Sequence, residues 1–212
     1  RFFRRLGYES FEEARRSARR AREWGSPLFL ARRESEGGGI GDETLRRFAE
    51  AEAAILQATF AGLDPATLDR VSEALAGAGR LFFLGFRNSA YAAGYARWQF
   101  IQFRAEVHML TGGAETLAER IADLREGDIL VVVGMRRLVA GVRRYAAAAR
   151  DQGARVLLLT DPSSGIRPDE ADWIITCPVE NPHVLDSYAG VMAVLRLMAF
   201  ETMRKRGPEG RR

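Results

Sequence analysis

Arginines stand at two places in the chain where an apolar run ends in glycine. The segments LFFLGFRNSA, over 81–90, and ILVVVGMRRL, over 129–138, share this order, and each passes into a helical pattern. A glycine lets the chain turn sharply, and the free N–H groups at the start of a helix favour an anion. A guanidinium can hold a carboxylate or a phosphate through two hydrogen bonds. The chemistry that these residues favour is therefore the binding of a small anion.

The candidate ligand-binding residues follow from these two turns and from the end of a third apolar run. Because parallel strands end at one edge of a sheet, the turns should meet in a crevice there, which is where open α/β sheets bind ligands. The predicted ligand-binding residues are Gly85, Arg87, Asn88, Ser89, Gly134, Arg136, Arg137 and Thr160. Ser89 is also expected to cap the helix that follows it.

The elements that position these residues are short apolar runs alternating with helical periodicity. Such runs, bounded by glycine, are typical of strands buried on both faces of a parallel sheet. Strands are predicted over 81–85, 106–110, 129–134, 155–160 and 173–177, and helices over 89–104, 114–124, 138–152 and 187–205. Asp42 and Asp64-Pro65 mark the starts of two earlier helices. We therefore predict an α/β fold: a doubly wound, five-stranded parallel sheet of the flavodoxin-like kind, with N-terminal helices.

Composition argues against several classes of protein. No apolar run of the 212-residue chain approaches the length of a membrane span, so the protein is expected to be soluble and cytoplasmic, with no membrane partner. The single cysteine, Cys177, cannot form an internal disulfide and is expected to be a buried apolar group. Only His108 and His183 are present, so neither a metal site nor another cofactor is expected.

The net charge of +4 is unevenly spread, because arginine outnumbers the acidic residues at both ends of the chain. Basic ends are candidates for contact with a polyanion. Arg1, Arg4 and Arg5 lie beside aromatic residues, an arrangement suited to phosphate contacts on DNA. The glycine-rich stretch over 34–43 is the clearest linker in the chain.

The order of these segments resembles the SIS (sugar isomerase) domain and the MurR/RpiR family of bacterial transcription regulators that contain it. The resemblance covers residues 53–204 and is carried by REGDILVVVG, RRYAAAARDQGARVLLLTD and EADWIITCP, which follow the family's order and spacing. It implies the remnant of a helix-turn-helix DNA-binding domain with its following basic helix over 1–33, the linker over 34–43, and a SIS domain over 44–212. Most of the DNA-binding domain is then expected upstream of Arg1.

Both turns depart from the motifs that are usual in the family. Gly-x-Gly-x-Ser becomes GFRNS over 85–89, with arginine in place of the middle glycine. Ser-x-Ser-Gly-x-Thr becomes GMRRLV over 134–139, and all three hydroxyls are lost. The resemblance implies a sugar phosphate as the ligand. The arginines leave open a sugar acid or another carboxylate, a phosphate held differently, or no ligand.

We expect the chain to be the effector-binding and dimerising part of a transcription regulator that senses a small anionic metabolite, and not an enzyme. Apolar positions in the helices over 89–104 and 187–205 exceed one buried face, which favours a homodimer or a higher homo-oligomer. The alternatives are a phosphosugar isomerase of the SIS type and a SIS domain that only dimerises. An isomerase needs a placed acid and base, for which Glu115, Glu180 and His183 are the candidates.

Overall fold

A computed structural model describes residues 40–112, 114–136, 141–182 and 185–207. Contacts group the chain into two units, Glu52–Glu180 with Ser187–Arg212, and Arg1–Ala51 with Asn181–Asp186. In the smaller unit, Arg46 forms exposed ion pairs with Glu43 and Glu50 along one helix. The domain predicted over 1–33, with Arg1, Arg4 and Arg5, lies outside the described residues, as does most of the linker predicted over 34–43.

Helices and strands alternate along most of the described chain. The helices are α1 (Asp42–Ala61), α2 (Pro65–Gly77), α3 (Asn88–Ile101), α4 (Leu117–Ala122), α5 (Val142–Asp151) and α6 (Ala189–Arg206). The strands are β1 (Leu81–Gly85), β2 (Val107–Met109), β3 (Ile129–Gly134), β4 (Arg155–Thr160) and β5 (Trp173–Thr176). Two 3-10 turns, Pro162–Ser164 and Pro168–Glu170, lie between β4 and β5. In these described ranges, no helix combines the length and the apolar character needed to cross a membrane.

The five strands form one parallel sheet in the order β2-β1-β3-β4-β5. This confirms the predicted doubly wound α/β fold and its flavodoxin-like strand order. The chain moves from β1 to one side to form β2 and then returns to the other side to form β3. The point where the strand order reverses therefore lies between β1 and β3, whose carboxyl ends carry the two arginine-containing turns.

Both faces of the sheet are covered, which explains the unbroken apolar runs. Successive side chains of a strand point to opposite faces. On β1, Phe83 packs in one core cluster with Phe100 of α3 and Leu195 of α6. Phe82 and Leu84 belong to the other cluster, against residues of α4 and α5. An apolar residue is needed at every strand position, because each face buries one.

Helix α4 is shorter than the sequence pattern predicts and begins at Leu117, where a capping box forms. The Thr116 hydroxyl accepts a hydrogen bond from the Glu119 N–H at 3.3 Å, and the Glu119 carboxylate accepts one from the Thr116 N–H at 2.7 Å. The Thr-x-x-Glu spacing is the sequence signature of a helix start. The start predicted at residue 114 is therefore wrong by three residues, although the sequence contains the signal.

Helices α1 and α6 approach closely where Gly190 meets Thr59. A Cβ at position 190 would overlap the Thr59 hydroxyl oxygen. That hydroxyl also donates to the Ile55 carbonyl at 2.8 Å, so its position is fixed within α1. Glycine at this position therefore sets how near α1 lies to the last helix.

Candidate functional site

The turn after β1 holds α3 close against the end of the strand. A Cβ at Gly85 would overlap the carbonyl oxygen of Ser89, so only glycine fits there. Two residues later, Arg87 has φ 54° and ψ −129°, a backbone region that suits glycine and is sparsely populated by other residues. Arg87 thus takes the backbone shape of glycine at the position where the family motif has one. Its guanidinium is exposed and forms no ion pair within the described ranges.

The turn after β3 also contains an arginine with a positive φ and is bonded to the first turn. Arg136 has φ 57°. The Met135 N–H before it donates to the Ser89 hydroxyl oxygen at 3.3 Å, and that oxygen lies 3.4 Å from the Tyr188 hydroxyl. The start of α6 and the two turns therefore meet at Ser89.

Asp161 follows β4 directly and reaches back to the same turn. The residue is only 3% exposed, and its carboxylate accepts a hydrogen bond from the Arg136 N–H. The other carboxylate oxygen accepts from the Ser163 N–H at 2.9 Å and from the Ser163 hydroxyl at 2.5 Å. A fixed negative charge is thereby held at the edge of the sheet where the ligand is expected.

The Arg136 side chain lies near a second carboxylate. Its Nη1 atom is 3.7 Å from the Oε2 atom of Glu180, which follows β5 in sequence and is 78% exposed on its side chain. Ion pairs between exposed groups are weak because water screens them.

The remaining predicted ligand residues divide into buried and exposed groups. Thr160 is buried, and its hydroxyl donates to the Gly134 carbonyl at 2.8 Å, which ties β3 to β4. Asn88 is exposed at the first position of α3. Arg137 lies outside the described residues. A ligand role for each of these residues stays a prediction.

The expectation that Ser89 caps α3 is wrong. Arg87 occupies the N-cap position, and no side chain caps the helix there. Because the turn places Ser89 inside the first turn of α3, its hydroxyl faces the neighbouring strand end and accepts from Met135 instead. A serine hydroxyl often caps a helix, but in this protein the Ser89 hydroxyl links the turn after β1 to the turn after β3.

The isomerase candidates are not assembled as an acid–base pair in the described ranges. Glu115 lies 3.9 Å from Arg120 and, together with His108 and Glu119, lines a cavity of about 430 Å³ that runs along β2 and α4. Glu180 is not among the residues that line this cavity. His183 lies outside the described residues.

Two contributors to the site are not identified as such by the sequence. The residue types favour a turn role for Asp161, although its place immediately after a predicted parallel strand puts it at the ligand-binding edge. They favour packing for Tyr188, which meets Ser89 across a separation of 99 residues. Nothing local in the sequence indicates that second contact.

The sequence matches one protein family. Residues 74–201 match the SIS domain. This range starts within α2 and ends within α6, so it contains all five strands and both arginine-containing turns. No curated protein sequence matches the chain significantly.

Several solved structures share the fold. The sugar isomerase domain of an RpiR transcription factor from Sphaerobacter thermophilus has a TM-score of 0.70 at 23% identity, over 78% of this chain and 92% of that one. The Vibrio vulnificus NanR protein complexed with ManNAc-6P has a TM-score of 0.66 at 15% identity, over 95% and 71%. The C-terminal domain of glucosamine-fructose-6-phosphate aminotransferase from Francisella tularensis has a TM-score of 0.57 at 14% identity, over 79% and 47%. At these identities the likeness shows the fold.

Proposed function

Because the chain belongs to the SIS domain family, we propose that it is the effector-binding and dimerising part of a bacterial transcription regulator of the MurR/RpiR kind. Its effector is a small anionic metabolite, a sugar phosphate or a sugar acid. DNA is contacted through the N-terminal region, with Arg1, Arg4 and Arg5 on phosphates. The likeness to a structure described as an RpiR transcription factor supports this assignment.

The proposal rests mainly on one observation. The exposed guanidinium of Arg87 has no ion-pair partner among the described residues, and its turn is bonded to the turn of Arg136 where the strand order reverses. Arg87 supplies the charge, and the bond from Met135 to Ser89 holds the turns side by side. A positive φ at a residue other than glycine costs about 1–3 kcal/mol and persists where the surroundings impose it, often at ligand sites. Two arginines in this conformation at one sheet edge favour a binding role over chance placement.

A sensing role rather than catalysis is supported by the carboxylates near the site. Proton transfer between sugar carbons needs a base held within hydrogen-bonding reach of the carbon-bound proton. Glu180 is exposed and paired with Arg136, and Asp161 is already bonded to Arg136 and Ser163. Neither carboxylate is free to act as that base without leaving its partner.

Dimerisation is supported by an aromatic stripe on the outer side of α3. Tyr91 is 80% exposed and Trp98 is 61% exposed, seven residues apart and so on one face of the helix. Exposed aromatic residues at helical spacing are typical of protein interfaces. We expect a second copy of the chain to cover them, and Trp98→Arg to shift the sedimentation of the protein from dimer to monomer.

The ligand proposal is tested by thermal shift with sugar phosphates and sugar acids. We expect at least one of these anions to raise the melting temperature of the wild type and to leave that of Arg87→Ala unchanged. If no anion changes the melting temperature of the wild type, the effector proposal is wrong and a purely dimerising SIS domain is favoured.

The sugar phosphates used in the thermal-shift experiment also distinguish a sensor from an isomerase. We expect no interconversion of aldose and ketose phosphates when the protein is incubated with them and the products are separated. Turnover by the wild type that Glu180→Gln abolishes would establish the isomerase instead.

A further inference from the structure

We propose that the effector is a singly charged sugar acid, and that the Asp161 carboxylate selects it against a doubly charged sugar phosphate. The inference rests on the proposed function, because it concerns the same site. It departs from the phosphate that the SIS resemblance implies, and the reason lies in what already occupies the turn after β3.

Two main-chain donors at the start of this turn, within the residues that the structure describes, are in use. A phosphate site in a loop is usually built from free backbone N–H groups, which surround the anion at little cost. Here the Met135 N–H donates to Ser89, and the Arg136 N–H donates to Asp161. A phosphate could take these donors only by displacing a hydroxyl and a carboxylate.

The Asp161 carboxylate is not easily displaced. The residue is 3% exposed, and two donors of Ser163 hold its other carboxylate oxygen. Asp161 and Ser163 belong to a well-formed turn. Asp161 is the N-cap of the 3-10 segment Pro162–Ser164, and its carboxylate accepts a hydrogen bond from the Ser163 N–H. The protein thus contains an anion of its own at the turn where the ligand's anion is expected.

A fixed negative charge discriminates between ligands by their charge. Coulomb repulsion is proportional to the product of the charges, so a dianion is repelled about twice as strongly as a monoanion at the same distance. Arg87 attracts a dianion more strongly by the same law, but water screens its exposed guanidinium more than it screens the buried Asp161 carboxylate. A phosphate monoester carries between one and two charges at neutral pH, since its second pKa is about 6. A sugar acid carries one charge throughout this range.

The groups that remain suit a carboxylate. The Arg87 guanidinium is exposed and planar, and it can hold both oxygens of a carboxylate at once. The Tyr188 hydroxyl lies beside Ser89 at the same turn and is only partly buried, so it can bond a hydroxyl group of a sugar. Arginine in place of glycine supplies the charge that the occupied amides no longer provide.

The test is isothermal titration of the full chain with hexonates and hexuronates and with the matching hexose 6-phosphates at about pH 7.5, where the phosphate is mostly dianionic. We expect the best sugar acid to bind at least about tenfold more tightly than its phosphate counterpart. In Asp161→Asn, which keeps the shape and removes the charge, we expect phosphate affinity to rise about tenfold and sugar-acid affinity to rise less. Ser163→Ala, which removes one donor to Asp161 but keeps its charge, should retain the wild-type preference.

A measurement on the wild type alone covers the case in which Asp161→Asn does not fold. At about pH 5 the phosphate loses its second charge, so its affinity relative to that of the sugar acid should rise severalfold from the value near neutrality. A wild type that prefers phosphates, or a ratio that neither Asp161→Asn nor pH changes, overturns the inference and leaves the effector proposal intact. Binding of no probe by either protein overturns both.

Discussion

The main-chain N–H of Met135 donates to the hydroxyl oxygen of Ser89 across 3.3 Å, and this bond links positions 46 residues apart. Both residues are buried at the carboxyl ends of adjacent strands, β1 and β3. The bond fixes the separation of the two turns that carry Arg87 and Arg136. Beyond the pairing of β1 with β3, this bond adds a direct link between the two turns.

Replacing that serine should destabilise the protein. Ser89→Ala leaves the buried Met135 N–H without a partner, and an unsatisfied buried donor costs about 1–3 kcal/mol. We expect the free energy of unfolding in urea to fall by this amount. Ser72→Ala is the matched control, because the Ser72 hydroxyl is buried and has no hydrogen-bond partner in the described structure. Removing it should leave stability unchanged or improved, and equal losses in both variants would contradict this account.

The glycine-like conformation of Arg87 separates two effects of substitution. Arg87→Gly removes the backbone strain as well as the guanidinium, and we expect the free energy of unfolding to rise by about 1 kcal/mol. For a chain of this length, that corresponds to about 2–4 °C in melting temperature. Arg87→Ala keeps the strain and should melt with the wild type. Both variants should lose affinity for the anion, so a gain in stability confined to Arg87→Gly identifies the strain.

Cys177 provides a pH-dependent test of the core. The thiol is fully buried after β5, and burial raises its pKa to about 12 from the usual 9.0. Because the thiol ionises more readily when unfolded, its contribution to stability is complete below about pH 9 and is lost as the pH rises toward about 12. Between about pH 8 and pH 10 we expect the free energy of unfolding to fall by about 1.4 kcal/mol more in the wild type than in Cys177→Ala. Equal pH dependence in the two proteins would show that the thiol is accessible to ionisation in the fold.

Glycine in two helices should respond to alanine in opposite ways. At Gly190 a Cβ would overlap Thr59, and overpacking of this kind costs about 1–3 kcal/mol. At Gly94, in α3, a Cβ meets nothing within 4 Å among the described residues of one chain. In the Trp98→Arg background, where the proposed partner copy is absent, Gly94→Ala should therefore stabilise the helix by about 0.5–1 kcal/mol. Urea unfolding of the two variants measures both changes.

A double-mutant cycle identifies the contact responsible. Thr59→Ala removes the hydroxyl that the new Cβ would meet, so Gly190→Ala should cost less in that background than in the wild type. A coupling free energy of about 1 kcal/mol between the two sites is expected from urea unfolding. Additive losses would place the cause elsewhere in the α1–α6 contact.

The strands at the centre of the sheet are the elements that the sequence predicts best. β1, β3 and β4 begin and end at the predicted residues, because burial on both faces demands an unbroken apolar run and glycine or threonine ends it. The edge strand β2 is shorter at both ends than its apolar pattern, since it pairs with a neighbour on one side only. Helix ends are less well predicted, because competing side-chain bonds decide them, as Ser89 illustrates.

The site is predictable in place but not in detail. That two turns meet at one sheet edge follows from parallel strands alone, and the sequence indicates it. The sequence does not indicate which backbone N–H groups of the turns already have a partner. The Arg136 N–H, for example, donates to Asp161, which lies 25 residues away and is brought near by the pairing of β3 with β4. The positive φ of Arg87 is likewise invisible in the sequence, since arginine normally avoids it.

The clash that any side chain at position 85 would cause with the Ser89 carbonyl fixes where α3 begins, whatever residue stands at position 87. Replacements of Arg87 can therefore alter the charge at this edge of the sheet while β1 and α3 keep their positions. A new side chain at position 87 should change the charge presented by the turn without moving the start of the helix.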